Sequence, residues 1–394
     1  MKMLSLHALP DAFCIFFQCM IHAFSKDCTG RRPISVSNES VNVCADHTGR
    51  GWSHLIMFKA SKSVVGLDIG SSAVKAVELT QAGKDLQVTG FGQIELTSED
   101  PADCVEAVGN LLKEGGFRTK SVVTSVSGKM VIVRHLNMVA MNDDELRNAI
   151  IFEAEKYIPF TLDECVLDCQ RLGDAEAGAN TDVLLVAVKD TVLDHHIGIC
   201  QKAGVTPEIV DIDAFALGNA YELVAGDAAL ADDVVAFVDV GASKTSLSIV
   251  RAGSALFTRE IYFGGNDFTS SIARKLGVDE VQAEHLKRSP GEDYEAVKEA
   301  AFPTIDDLGN ELQLSFDYFE SQHGNTVDKI MLSGGSSRLS FFRESFERIF
   351  EKPTAIFNPF EGISVCDDID QDLLASSGPQ LVVAAGLASR IRKA

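Results

Sequence analysis

The sequence predicts a two-lobed α/β fold in which the lobes are duplicates of each other and the first carries an inserted subdomain. Three observations support this. At 394 residues the chain is too long for one compact core and suits two lobes with a cleft between them. A plan of strand, tight Gly-Ser turn, strand, turn and strand occurs twice, first from Val64 and again from Val234, which is the mark of an internal duplication. Between the copies lies a segment, Lys129 to Val205, with a helix and a strand pair that belong to neither.

Composition narrows the class. Apolar residues make up 46% and charged residues 23%, as in soluble globular proteins. The formal net charge of -22 argues against a broad nucleic-acid surface, which needs clustered Lys and Arg. The first 56 residues stand apart, with Cys14, Cys19, Cys28, Cys44 and the single Trp52, and show neither helical nor strand periodicity. Their apolar run, Ala12 to Phe24, is 13 residues long with Gln18 and His22 inside it, too short and polar to span a bilayer. It could be read as a poor signal peptide. A better account is a disordered leader or an over-extended reading frame, because Met57 opens MFKASKSVVGLDIG, a natural domain start. Cys165 and Cys169 lie in a C-x3-C without a second ligand pair, so buried thiols in a reducing cytosol fit better than zinc. The adjacent His195 and His196 are read the same way, as structural residues.

In the first repeat an apolar strand ends in Asp68, the turn passes through Gly70, Ser71 and Ser72, and Val74 to Leu79 carries the single Lys75; Leu86 to Leu96 is the third strand. The second ends its strand in Asp239, turns through Gly241 and Ser243, runs from Thr245 to Val250, and turns again at Arg251-Ala252-Gly253. Both turns fit D-x-G-x-S. A carboxylate at a strand end can face a bound Mg2+ directly or through a water of its shell. The glycines let backbone N–H groups approach phosphate oxygens. Ser71, Ser72, Ser243 and Thr245 add hydroxyls, and Lys75 adds positive charge. A single such turn also reads as an ordinary hairpin with a solvated Asp; the second copy favours a pair of hairpins clamping a nucleotide's phosphates. No P-loop pattern occurs.

Later, KIMLSGGSSRL reads as a strand ending in Gly334-Gly335, followed by Ser336 and a helix from Leu339 to Phe350. Bare backbone there could lie against a base and ribose, or could serve only as a strand-to-helix turn. In the inserted segment, Asn142 and Glu145 form a capping-box pattern. Leu146, Ile150, Ala154 and Tyr157 or Ile158 give one apolar face, and Pro159 closes the helix. Strands near Val166 to Leu172 and Val183 to Val188 follow, then a helix from Asp190 to Ala203. Asp213 in DIDAF is either a base or water-orienting group beside a γ-phosphate, or a cap for the helix Ala214 to Leu223.

Taken in order, the two hairpins and the late Gly-Gly turn resemble the actin/Hsp70/sugar-kinase superfamily from Val64 onward. That resemblance implies an actin-like (ribonuclease H-like) two-lobed α/β fold that closes on ATP with Mg2+. Asp68 and Asp239 would serve the metal, Gly70, Ser71, Ser72, Lys75, Gly241, Ser243 and Thr245 the phosphates, and Gly334, Gly335 and Ser336 the adenosine. The segment Gly264 to Lys287 resembles the cell-division branch, where a Glu and a Lys three residues on contact the ribose. Here they match Glu284 and Lys287, which could also be an exposed i, i+3 ion pair.

FEAEKYIPF, Phe152 to Phe160, with the segments Ile209 to Asp213 and Val383 to Ala388, is similar to the PilM family of type IV pilus assembly proteins. The implied subdomains are 57–128 with 206–231 in the first lobe, 129–205 as the insert, 232–264 with 326–378 in the second lobe, 265–325 as its helical part, and 379–394 returning to the first lobe. The family docks the cytoplasmic N-terminal peptide of PilN between insert and first lobe, and through it meets PilO and the motor ATPases. Phe152, Tyr157, Ile158 and Phe160 would line or support that groove, although as core residues of the insert they would look the same, and the core reading is the preferred one. The resemblance implies a cytoplasmic protein held at the inner membrane only through partners, since the sequence ends at Ala394 without the amphipathic helix of the cell-division homologue. Self-association is left open. A small-molecule kinase of the same superfamily is the alternative, and turnover of ATP is expected to be slow at most.

Overall fold

The computed structural model describes residues 63–82, 85–98, 100–172, 180–226 and 232–393. The expectations for the leader, for the start at Met57 and for the turn at 83–84 lie outside the described residues. The first lobe begins with β1 (Ser63–Ile69), β2 (Ala73–Ala82), β3 (Asp85–Glu95), α1 (Pro101–Glu114) and β4 (Ser121–Val126). The insert follows as β5 (Val131–Val139), α2 (Asp143–Ala154), β6 (Cys165–Leu172) and β7 (Asn180–Lys189). Then come α3 (Asp190–Lys202), β8 (Thr206–Ile212) and α4 (Asp213–Ala225). The second lobe has β9 (Val235–Val240), β10 (Thr245–Arg251), β11 (Ser254–Ile261), α5 (Gly265–Leu276), α6 (Glu280–Arg288), α7 (Tyr294–His323), β12 (Lys329–Ser333), α8 (Phe342–Phe350) and β13 (Thr354–Ile356). The chain continues through β14 (Ser364–Val365), α9 (Gln371–Ser377) and α10 (Val382–Ala388).

The duplication is visible in the strand order. One sheet runs β3-β2-β1-β4-β8 and the other β11-β10-β9-β12-β13. In both, the first three strands are antiparallel neighbours and the last two join the central strand in parallel. Parallel central strands are covered on both faces and so read as continuous apolar runs. Val65 and Leu67 of β1 pack with α1 and α3, while Gly66, facing the other way, lies on α10. A phenylalanine-rich core that includes Phe268, Phe319, Phe342 and Phe346 fills the second lobe. Phe215 of α4, Phe237 of β9, Phe357 and Val382 of α10 belong to one core that joins the lobes.

Two helices cross between the sheets. A methyl group placed on Gly386 of α10 would sit 1.9 Å from the Ala216 carbonyl of α4, so the backbones are in direct contact there. Just beyond, Arg390 Nε donates to Asp211 Oδ2 at 2.9 Å in a fully buried ion pair that fastens the end of the chain to β8.

Several local expectations shift. The capping box forms, with Glu145 N donating to Asn142 Oδ1 at 2.9 Å, but α2 ends at Ala154 rather than at Pro159. A tightened turn follows, in which Tyr157 and Ile158 N–H groups both reach the Ala154 carbonyl, because a residue before proline disfavours helical backbone. The helix expected from Leu339 begins at Phe342, after a 3-10 turn over Gly335–Arg338. Helix α3, grouped above with the insert, places Ile199 and Cys200 in the first-lobe core. Strand β14, grouped above with the second lobe, pairs with β3 of the first sheet. Cys165 and Cys169 are half-buried rather than fully buried.

Candidate functional site

The two repeated hairpins have the same backbone. Gly70 N donates to the Ala73 carbonyl at 3.1 Å, and Gly241 N to the Lys244 carbonyl at 2.9 Å. The tips meet across the cleft, where Ser243 Oγ donates to Ser71 Oγ at 2.9 Å. Asp68 and Lys75 are directly opposed in the β1/β2 register, and Lys75 Nζ donates to Asp68 Oδ2 at 2.9 Å. This explains the lone lysine in an apolar strand. Asp239 faces Ser246 across β9/β10 and accepts from Ser333 Oγ of β12 at 2.7 Å.

Charge is concentrated at this floor. Burial alone would lower the Lys75 ammonium, yet Asp68, and beyond it Asp239 and Asp213, hold it above its ordinary value. Asp239 is pushed up to about 6, by burial first and by Asp68 and Asp213 after it, against the opposing pull of Ser333 and Lys75. Residues from both lobes therefore share one electrostatic environment. Ser71 is half-buried and Ser72 exposed at the first tip. Thr245 is buried, and its hydroxyl donates to the Phe263 carbonyl at 2.8 Å, so it braces the second hairpin from beneath.

Asp213 does not cap α4. It is the first residue of that helix, and its carboxylate accepts from Ser125 Oγ at 2.7 Å and from Lys244 Nζ at 3.0 Å. Burial raises its pKa, but Lys244, Ser125 and Ser127 outweigh burial and hold it at about 2. Lys244 also donates to Glu260 Oε1 at 3.0 Å and to Ser127 Oγ. Neither Lys244 nor Glu260 was anticipated from the sequence. The available signal was a break in the repeat, since Lys244 occupies the turn position that Ala73 holds in the first copy.

The glycine turn after β12 abuts the second hairpin. Gly334 has φ +85, and a methyl group on it would lie 2.4 Å from the Val240 carbonyl, so only glycine fits. Gly264 and Gly265 also pack on this hairpin, with Gly265 N donating to the Gly241 carbonyl at 2.8 Å. A methyl group on Gly265 would meet Ser336 Oγ at 3.0 Å and Lys287 Nζ at 3.4 Å. The Gly-Gly turn, Ser336 and Lys287 therefore converge beside the second hairpin.

Glu284 and Lys287 pair at 2.6 Å, and Lys287 is buried rather than exposed. It donates to the Gly265 carbonyl at 2.9 Å and to Thr269 Oγ1 at 2.7 Å. Burial leaves its pKa below the ordinary value despite Glu284. Arg288 links Glu284, at 2.8 Å, to Glu95 of the first lobe, at 2.5 Å.

On the insert, Phe152 is 72% exposed and Tyr157 is 42% exposed, so neither is core. Ile158 packs against the insert core, and Phe160 is half-buried. A separate groove of 530 Å³ runs between α1 and α3, lined by Pro101, Val105, His195, Ile199 and Lys202 among others. His196, next to that lining, is buried against Thr124 Oγ1 at 2.8 Å, and burial pushes it down to about 4. No helix among the described residues is long and apolar enough to cross a membrane.

Residues 66–392 match the family described as type IV pilus assembly protein PilM. The chain belongs to that family. The PilM–PilN type IV pilus biogenesis complex contains a chain 29% identical to this one, with a TM-score of 0.75 over 83% of this chain and 98% of that one. The ethanolamine utilization protein EutJ from Carboxydothermus hydrogenoformans, 15% identical with a TM-score of 0.50 over 83% of this chain and 89% of its own, shares the fold. The cell division protein FtsA of Bacillus subtilis is 24% identical over 264 residues, and that of Streptococcus pneumoniae 24% identical over 259 residues. Those matches cover 58% of this chain in each case, and span 58% and 56% of the two relatives' own lengths. The fold is thus the actin-like, two-lobed α/β fold, and this PilM-family chain is an actin-like type IV pilus assembly protein.

Proposed function

We propose that the protein binds ATP with Mg2+ between its two hairpins and docks the N-terminal segment of PilN, so that nucleotide state and partner binding influence each other. The observation that carries this reading is the meeting of the two glycine turns at Ser71 and Ser243, above a floor shared by Asp68, Lys75 and Asp239. Among the described residues no group of three or more His, Cys, Asp or Glu side chains forms a metal cage. Mg2+ keeps several waters and is commonly held by one or two carboxylates together with phosphate oxygens. Asp68 and Asp239 would supply the carboxylates, Gly70, Ser71, Ser72, Lys75, Gly241 and Ser243 the phosphate contacts, and Thr245 the support beneath them. Gly334, Gly335, Ser336, Glu284 and Lys287 would hold the nucleoside.

The ion, when bound, would neutralise phosphate charge. Turnover is expected to be slow, because a proton acceptor works best with a pKa near the working pH and Asp213 is held at about 2 by its pair with Lys244. The same pairing disfavours a metabolic kinase with Asp213 as its base. The exposed Phe152 and Tyr157, with Ile158 and Phe160 behind them, fit an apolar anchor on a peptide. Attachment to the inner membrane, and any link to PilO or the motor ATPases, would then run through PilN.

The test is a calorimetric titration of a synthetic PilN N-terminal peptide with and without Mg-ATP. The peptide's affinity should change severalfold with nucleotide, and the nucleotide's affinity by the same factor with peptide. Asp68→Ala should remove the dependence. Phe152→Ser should weaken the peptide about tenfold, as loss of an aromatic anchor does, with thermal stability unchanged. Equal peptide affinity in the presence and absence of bound nucleotide would overturn the coupling.

A further inference from the structure

Lys244 belongs to two structures at once. It lies in the turn of the second hairpin, directly after Ser243, whose hydroxyl meets the first hairpin. Its ammonium has three N–H donors, and all three are engaged, by Asp213, Glu260 and Ser127. Two of these acceptors are in the first lobe, and Ser127 and its neighbours lead into the insert. Glu260 extends the link, accepting from Gly128 N at 2.8 Å and from the Tyr262 hydroxyl at 3.1 Å. Lys129 Nζ lies 4.6 Å from the centre of the Tyr262 ring. Residues 127–129 are therefore clasped to the second lobe by three contacts, to Lys244 before β10, to Glu260 of β11 and to Tyr262 just after it. Gly128 O in turn accepts from Val131 N, at 2.9 Å, where β5 begins. The Asp213 carboxylate also acts on Lys75 and Asp239, so this cluster adjoins the floor between the hairpins.

We propose that Lys244 is the residue through which a terminal phosphate in the cleft controls the hold of the second lobe on the insert. This rests on the nucleotide-binding reading above. With every donor committed, Lys244 can bond a phosphate oxygen only by giving up one of its present acceptors. Phosphate occupancy and an intact clasp then compete for one ammonium, so the state of the nucleotide is read at Gly128 and carried into β5. A position with two alternative sets of partners is what coupling between distant sites requires.

The experiment is amide hydrogen exchange on the full chain, following peptides that cover residues 127–139, without nucleotide, with Mg-ADP and with a Mg-bound non-hydrolysable ATP analogue. In the wild type the analogue should speed exchange in this segment about tenfold over the nucleotide-free chain, and ADP much less, since only the analogue carries the terminal phosphate. Lys244→Met should show fast exchange in all three conditions. If that variant fails to fold, Glu260→Gln, which opens the clasp from the other side, should give the same nucleotide-independent pattern. Calorimetry on the same samples separates the two readings. Absence of nucleotide binding in the wild type would sink the binding site itself. Binding that leaves residues 127–139 unchanged, or a Lys244→Met chain that keeps the wild-type difference, would overturn the role given to Lys244.

Discussion

The first and second hairpins share a backbone and differ in where they keep positive charge. In the first, a lysine lies across the strand pair from the aspartate, and the turn position holds Ala73. In the second, the cross-strand position is Ser246, and the lysine has moved into the turn as Lys244. The first aspartate is paired inside its own hairpin. The second has a serine from β12 as its partner and is pushed up to about 6. Duplication supplied the geometry, and moving one charge gave the copies different work. The first hairpin neutralises itself, while the second reaches across to the other lobe.

The largest effect expected from this difference is on stability. Asp68→Ala should lower the unfolding free energy by about 3 kcal/mol, because it strands a mostly buried ammonium. Asp239→Asn should cost under about 1 kcal/mol, since it exchanges a carboxylate that burial already disfavours for a neutral isostere. Urea unfolding of the two variants compares them directly, and equal losses would erase the distinction between the hairpins.

A second contrast lies in pH. Asp239 keeps its proton in the folded chain up to about 6, whereas the unfolded chain loses it near the ordinary value of about 3.9. Stability should therefore fall through this group as pH rises from about 4 to about 6. Asp213 works in the opposite sense. Held at about 2, it contributes stability that is present above about 4 and is lost as pH falls toward 2. Asp239→Asn should flatten the slope between pH 4 and 6 and leave the acid limb intact. Superimposable curves for variant and wild type would show that the two carboxylates are not differently placed.

The smallest expected effect concerns the meeting point of the tips. Ser71→Ala or Ser243→Ala should each cost about 0.5 kcal/mol, as for an exposed neutral hydrogen bond. The double variant should lose no more than the larger single, because both remove the same contact. Additive losses would mean that each serine has a partner other than the opposing one.

What the sequence revealed was local. The repeated D-x-G-x-S turns, the left-handed Ala252-Gly253 turn and the Asn142–Glu145 cap are each decided within a few residues. Spacing alone therefore exposes them, and the duplicated strand order follows. What stayed hidden depends on contacts between distant segments. Nothing near Lys244 announces that its ammonium will meet Asp213 and Glu260, and nothing near Lys287 that it will be buried under Gly265. An i, i+3 pair looks the same on paper whether solvated or enclosed. Asp213 was assigned as a possible cap because its local sequence fits one, but the stronger claim of Lys244 and Ser125 decides where it points. The exposure of Phe152 could not be told from a core role, since α2 presents apolar residues on more than one side.

The crossing of α4 and α10 determines how the halves of the molecule can move. At Gly386 the backbone of one helix rests on that of the other with no side chain between them, and Gly66 seats β1 on α10 in the same way. Sliding either helix along the other would drive a larger residue into a carbonyl, which close packing resists. The crossing is a rivet: α10 seats β1, which leads to the Ser71 tip, and α4 packs on β10, which follows the Ser243 tip.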